Sequence, residues 1–183
     1  MNNIIDLIKT RVSCPKLQAP APNKLELEEI LACAMRAPDH ARLKPWRYHV
    51  VTGASLDNLG EVFVQTQQEN MVSQVKIEKC RNMPKRAPMI IVAVCEPVDN
   101  LKVPKVEQLL AVGAGIQNMQ IAISSLGYGS IWRTGDMAHH QIVKKHFNIS
   151  QNGEIVGFLY IGTPDKQPSL SVLNLKEYVK HWD

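Results

Sequence analysis

Apolar residues at positions 4, 7 and 8 fall on one side of a helical turn, so residues 3–9 are predicted to form a short helix. The run Ala19-Pro20-Ala21-Pro22-Asn23 then breaks regular structure. A second helix is predicted over 24–36, with Leu27, Ile30, Leu31 and Ala34 as its buried stripe. Pro38 ends it, because the residue before a proline avoids helical dihedrals. Residues 47–52 read as a strand. Residues 55–80 are mostly polar and read as helix in whole or in part. Residues 88–95 are apolar and rich in branched side chains, the pattern of a strand covered on both faces. The longest helix is predicted over 104–126. It carries Leu109, Leu110, Val112, Ile116, Met119, Ile123 and Leu126 around most of its circumference, so it is expected to be central and buried. Gly127 ends it. A strand at 128–133, a short helix at about 138–147 and a strand at 155–162 complete the core. The tail, 163–183, has scattered apolar residues and no evident core of its own.

Helices and strands interleave without strict alternation, and the strands are few and far apart. The expectation is one α+β domain spanning 1–183, built in three layers with a mixed central sheet flanked by helices. The apolar girth of the long helix and the apolar residues of the tail (Leu170, Val172, Leu173, Leu175, Tyr178, Val179, Trp182) suggest surface buried between two copies of the chain.

Composition narrows the function classes. Hydrophobic residues make up 45% and charged residues 21% of 183 positions, an ordinary globular balance. No apolar run approaches the roughly 20 residues that span a bilayer, so no membrane segment is expected. The N-terminal residues lack the pattern of an export signal. Cys14, Cys33, Cys80 and Cys95 are unevenly spaced and form no C-x-x-C pair, which suits reduced thiols in a cytoplasmic protein. The net charge of +4 is spread along the chain without a block of like charges, so nucleic acid is not indicated as a partner.

Gly113-Ala114-Gly115 hints at a dinucleotide fingerprint, but position 118 is Asn and the segment lies inside a helix. Small residues there more simply let another helix approach. His139, His140 and His146 make no metal set, since adjacent histidines face different ways, and they read as solvated. The basic segment from Lys102 to Lys105 reads as a solvated turn. Arg11-Val12-Ser13 directly follows the first helix, with Lys16 close behind. An arginine fork, a hydroxyl and free amides can hold a phosphate, although an ordinary basic loop has the same composition. The loop Arg36-Ala37-Pro38-Asp39-His40, followed by Pro45-Trp46, is polar and pinned by prolines, as functional loops often are.

These segments carry a resemblance. Arg11-x-Ser13, Met35-Arg36-Ala37-Pro38-Asp39-His40, Pro45-Trp46, Arg86-Ala87-Pro88, Lys102-Val103-Pro104, Gly129-x-Ile131-Trp132-Arg133-x-Gly135 and the stretch from Ile155 to Pro164 occur in order along the chain. In this it resembles the nitroreductase-like flavoproteins, in particular their short-chain branch. The resemblance implies FMN held at the interface of an intertwined homodimer. It assigns Arg11, Val12 and Ser13 of one subunit to the phosphate, ribityl chain and nearby ring edge, and Arg36 and His40 to the same flavin from the other subunit. Trp132, Arg133 and Thr134 would line the flavin. A nicotinamide-related segment would fall on Ala122, Ile123, Ser124, Ser125, Leu126 and Gly127. The family usually has two adjacent arginines where this chain has Arg11 and Val12, which removes a charge-assisted contact of about 1.5–3 kcal/mol.

The activity implied is NAD(P)H-dependent reduction of a nitroaromatic, quinone or related acceptor by a ping-pong mechanism, with the hard chemistry carried by the cofactor and no side chain needed as acid or base. Dehalogenation or flavin consumption on the same fold, and a non-catalytic flavin-binding role, are the alternatives.

Overall fold

The computed structural model describes residues 4–67, 72–166, 168–170 and 174–182. Helix α1 (Ile4–Thr10) leads into the two-residue strand β1 (Leu17–Gln18). Helix α2 (Lys24–Ala34) is started by Asn23, whose side chain accepts from the amides of Leu25 and Glu26 while Glu26 reaches back to the Asn23 amide. Strand β2 (Trp46–Thr52) is followed by α3 (Ala54–Gln65) and α4 (Gln74–Arg81). The predicted helical stretch 55–80 is thus two helices, and residues 68–71 between them lie outside the described residues.

Strand β3 (Met89–Cys95) is buried at every position. Helix α5 (Lys105–Ser125) then runs to β4 (Gly129–Arg133). The predicted helix at 138–147 is split into α6 (Asp136–His139) and α7 (Gln141–His146). The cause is His140, whose backbone is extended and whose ring Nδ1 accepts from the Ile142 amide, starting a new helix. That histidine is a cap, where a solvated side chain was expected. Lys105, expected in a solvated turn, opens α5 and pairs with Glu154 at 2.8 Å. Strand β5 (Glu154–Pro164) closes the sheet.

The strand order is β1-β5-β3-β2, with β4 also paired to β5, and each described pairing is antiparallel. Alternation along β3 sends Ile90, Val92 and Val94 to one face and Met89, Ile91, Ala93 and Cys95 to the other. The first face packs against α3, α6 and α7 through residues such as Leu59, Phe63, Ala138 and Val143. The second packs against α2 and α5 through Ile30, Ala34, Ile116, Met119 and Ile123. The α+β class and the helical layers on both faces of one sheet follow the sequence reading.

Helix α5 is less enclosed than its composition predicts. Its buried face runs through Ala111, Val112, Gly115, Ile116, Met119 and Ile123, while Leu110 is 68% exposed and Val106 is also exposed. The small residues inside it serve packing. A Cβ on Gly115 would lie 2.6 Å from the Tyr48 hydroxyl and 3.2 Å from the Ala34 carbonyl of α2, so only glycine permits this approach. The Asn118 amide closes the same contact by donating to the Cys33 carbonyl at 3.2 Å.

Candidate functional site

The segment after α1 is pinned at both ends. The Arg11 amide donates to the Leu7 carbonyl at 3.0 Å, and the Cys14 amide donates to the Ser130 carbonyl of β4 at 2.9 Å. Cys14 is buried, and burial pushes its thiol up, against the opposing influence of the Ser130 backbone and the Arg11 charge. It is therefore a packing thiol. Val12 is half-buried and packs against the core cluster that includes Cys14, Leu17 and Tyr160. One side of its side chain rests on the core, and it carries no polar group, so any hydrogen bond from it to a ligand comes from its backbone.

Arg11 and Val12 line two adjoining cavities. The larger, an open cleft of about 880 Å³, also takes in Ser13, Gln117 of α5, and Leu170 and Leu175 of the tail. The smaller, about 190 Å³, also takes in Ser124, Gly127 and Tyr128. The Arg11 Nη1 atom is buried and has no hydrogen-bond partner among the described residues. An unpaired buried guanidinium N–H is destabilising, and an anion in the cleft relieves it. The donor set of an arginine fork, the exposed Ser13 hydroxyl and the loop amides fits the phosphate of FMN.

The segment from Ala122 to Gly127 is divided. Ser124 and Gly127 share the small cavity with Arg11, whereas Ile123 is fully buried in the core and Ala122 packs against that core. The segment ends α5, where the helix dipole disfavours anions.

Trp132, Arg133 and Thr134 line a separate cleft of about 400 Å³ at the end of β4. Successive side chains diverge here as the strand requires. Trp132 lies against α5, its ring 3.5 Å from a Cβ built on Gly113, and its indole N–H donates to the Val156 carbonyl at 3.2 Å. The Arg133 guanidinium sits over the Tyr160 ring, 5.7 Å from its centre, and its Nε is buried without a partner among the described residues. The sequence reading gave no role to Arg86 and Tyr160, which line this cleft as well. Arg86 stood within a family segment, but its spacing carried no chemical signal.

Arg36 and His40 are elsewhere on the chain. Arg36 shares a cleft with Arg42, Lys44 and Trp46. The His40 Nδ1 is 2.7 Å from the Glu107 carboxylate at the start of α5. Glu107 and Gln117 are ten residues apart on one helix, which is about 15 Å at 1.5 Å per residue. The loop that holds His40 is strained and fixed. Ala41, Arg42 and Lys44 have φ of 61°, 56° and 50°, and the Lys44 amide donates to the Asp39 carboxylate at 2.7 Å. One chain thus brings Arg11, Val12 and Ser13 together with Ser124 and Gly127. Trp132 to Thr134 line a second cleft, and Arg36 and His40 stand apart from both.

No group of three or more His, Cys, Asp or Glu side chains suited to a metal occurs among the described residues. No helix there is long and apolar enough to cross a membrane.

A profile of the nitroreductase family matches residues 8–163. YdjA of Escherichia coli strain K12, provisionally named an NAD(P)H nitroreductase, is 37% identical over 168 residues, covering 92% of each chain. The crystal structure of a nitroreductase-like family protein from Bacillus cereus superposes with a TM-score of 0.85 at 25% identity, covering 100% of this chain and 97% of that one. A provisionally assigned nitroreductase from Desulfovibrio desulfuricans, solved in complex with FMN, shares the fold with a TM-score of 0.77 at 19% identity, over 100% and 98% of the two chains. The chain belongs to the nitroreductase family of oxidoreductases.

Proposed function

We propose that this protein is an FMN-dependent oxidoreductase that uses NAD(P)H to reduce nitroaromatic, quinone or related acceptors as a homodimer. The observation that carries the reading is the buried Nη1 of Arg11, without a partner among the described residues, on a residue that lines an open cleft. Bound FMN would take hydride from NAD(P)H and deliver it to the acceptor. Arg11 would hold the phosphate through its fork, with the Ser13 hydroxyl and the amides of the pinned segment beside it. Val12 would bond through its backbone, since its half-buried side chain is apolar and rests against the core. Trp132, Arg133 and Thr134 would border the flavin, with the indole held in place by its bond to Val156.

Arg36 and His40 would reach the same flavin from the other subunit. The separation of His40 from the Arg11 cleft along α5, together with the separate cleft that Arg36 lines, supports that reading. The His40 ring is already oriented by Glu107, and the strained loop around it is held by Asp39. Such fixed donors reduce the cost of ordering on binding.

Nucleotide and acceptor would take turns in one cleft. Initial rates measured over a grid of NADPH and quinone concentrations test this: the reading gives parallel double-reciprocal lines, and intersecting lines contradict it.

A further inference from the structure

Two arginines line the cleft beyond Trp132, and neither has a counter-ion among the described residues. Arg86 ends the short 3-10 turn Pro84–Arg86, and Arg133 ends β4. Both are half-buried and line the same cavity of about 400 Å³. Neither guanidinium has a carboxylate partner among the described residues. The Arg133 Nε is buried with no acceptor among the described residues. Tyr160 lines the same cavity, with the Arg133 guanidinium over its ring. Burial raises its phenol, and the charges of both Arg133 and Arg86 oppose that rise. Apart from Thr134 and Gly135 at its rim, the rest of the wall is apolar and aromatic. Phe63 and Phe158 meet edge to face at 5.6 Å between ring centres, and Met83 and Met137 add soft thioethers.

Half-buried cations without a counter-ion are unfavourable, and here two of them line one cavity with largely apolar walls. A carboxylate removes both penalties, since a guanidinium grips it through two parallel hydrogen bonds. The apolar walls favour a planar ring behind that carboxylate.

We propose that Arg86 and Arg133 form an anion subsite that takes the carboxylate of an aromatic acid, making aromatic acceptors that bear a carboxylate the preferred substrate class. This rests on the flavin reading for the word acceptor, because the rim of the cavity, Trp132 to Thr134, is the segment assigned above to the flavin. The cavity itself stands on its own geometry.

The test is isothermal titration of the FMN-loaded protein with benzoate, its neutral isostere benzamide, and inorganic phosphate. The expected result is benzoate binding at least tenfold tighter than either of the others. Arg86→Gln should weaken benzoate about tenfold or more and leave benzamide unchanged, a loss in the range of one charge-assisted hydrogen bond. Arg86→Lys, which keeps the charge and loses the fork, should fall between. Equal binding of benzoate and benzamide to the wild-type protein overturns the proposal, even if no variant folds. Equal binding of phosphate and benzoate overturns its aromatic part. An Arg86→Gln variant that loses FMN more than benzoate also overturns it, since Arg86 would then serve the flavin. Protein that takes up no FMN contradicts the flavin reading alone, and benzoate binding to it still decides the cavity.

Discussion

The indole of Trp132 occupies the space that any side chain at Gly157 would need. A Cβ built there lies 2.0 Å from the indole Nε1 and 2.5 Å from its Cδ1. The site falls where the β3–β5 register shifts by one residue, so that Val156 and Gly157 together face a single step of β3. Such a bulge re-aims neighbouring groups. Here it turns the Val156 carbonyl to the indole N–H. Gly157→Ala is therefore expected to cost about 2 kcal/mol by overpacking. It should also displace Trp132 and weaken FMN binding. Urea denaturation measures the first effect, and a flavin titration measures the second. An alanine variant with wild-type stability would show that the indole is not held by this contact.

Arg11→Ala should raise the FMN dissociation constant at least tenfold, the equivalent of one charge-assisted hydrogen bond to phosphate. Lys102→Ala should not change it, because Lys102 is exposed on a turn whose order comes from its backbone amide bonding to Asn100. Fluorescence titration of the two variants against wild type compares them. Equal constants for both would remove Arg11 from the flavin site.

Acid should weaken the fold through Glu154. Burial acts to raise this carboxyl, but hydrogen bonds from Lys105 and Lys144, with their charges, hold it below its ordinary value of 4.5. Lys144 is only 7% exposed and also donates to the Gly153 carbonyl. Because the folded carboxyl releases its proton more readily than the unfolded one, the stabilisation is fully present above about pH 4.5. It is lost as pH falls through the lower folded value. Glu154→Gln should cost about 2 kcal/mol near neutrality, as expected for a partly exposed pair with a buried lysine. It should also flatten the acid limb of the stability profile. Denaturation midpoints from neutral pH down to strong acid measure both, and an unchanged acid limb in the variant would assign it to other carboxyls.

The homodimer proposed above has apolar surface available to it. Ile4, Ile5 and Ile8 on α1, Val106 and Leu110 on α5, and Leu170, Leu175, Tyr178 and Trp182 in the tail are all exposed, Trp182 at 93%. Val172 and Leu173, counted with them from the sequence, lie outside the described residues. An exposed set of this size suits an obligate interface. Deleting 168–183 should lower the dimer association constant and release FMN together. Sedimentation of wild-type protein as a folded, flavin-loaded monomer at micromolar concentration would contradict the linkage.

The parts of this fold that were legible in the sequence are those with a period. The stripe of α2, the all-apolar run of β3 and the length of α5 each impose one structure. Other features have no period to read. β1 is two residues paired with Thr163 and Pro164, and the break between α6 and α7 depends on one histidine ring capping a helix. At the site, Arg11 and Ser13 were legible because a family segment holds them together. Arg86 was not, because its partner in the cavity is Arg133, forty-seven positions on. Only the pairing of β3 and β4 with β5 brings the two near each other.

The most direct test of the central claim is an anaerobic half-reaction. Purified protein saturated with FMN is mixed with NADPH, and separately with NADH, while the oxidised-flavin absorption band is followed. A quinone is then added. The account predicts stoichiometric bleaching by at least one nucleotide and full return of the band with the quinone. Protein that takes up no FMN, or whose bound FMN is bleached by neither nucleotide, would contradict it.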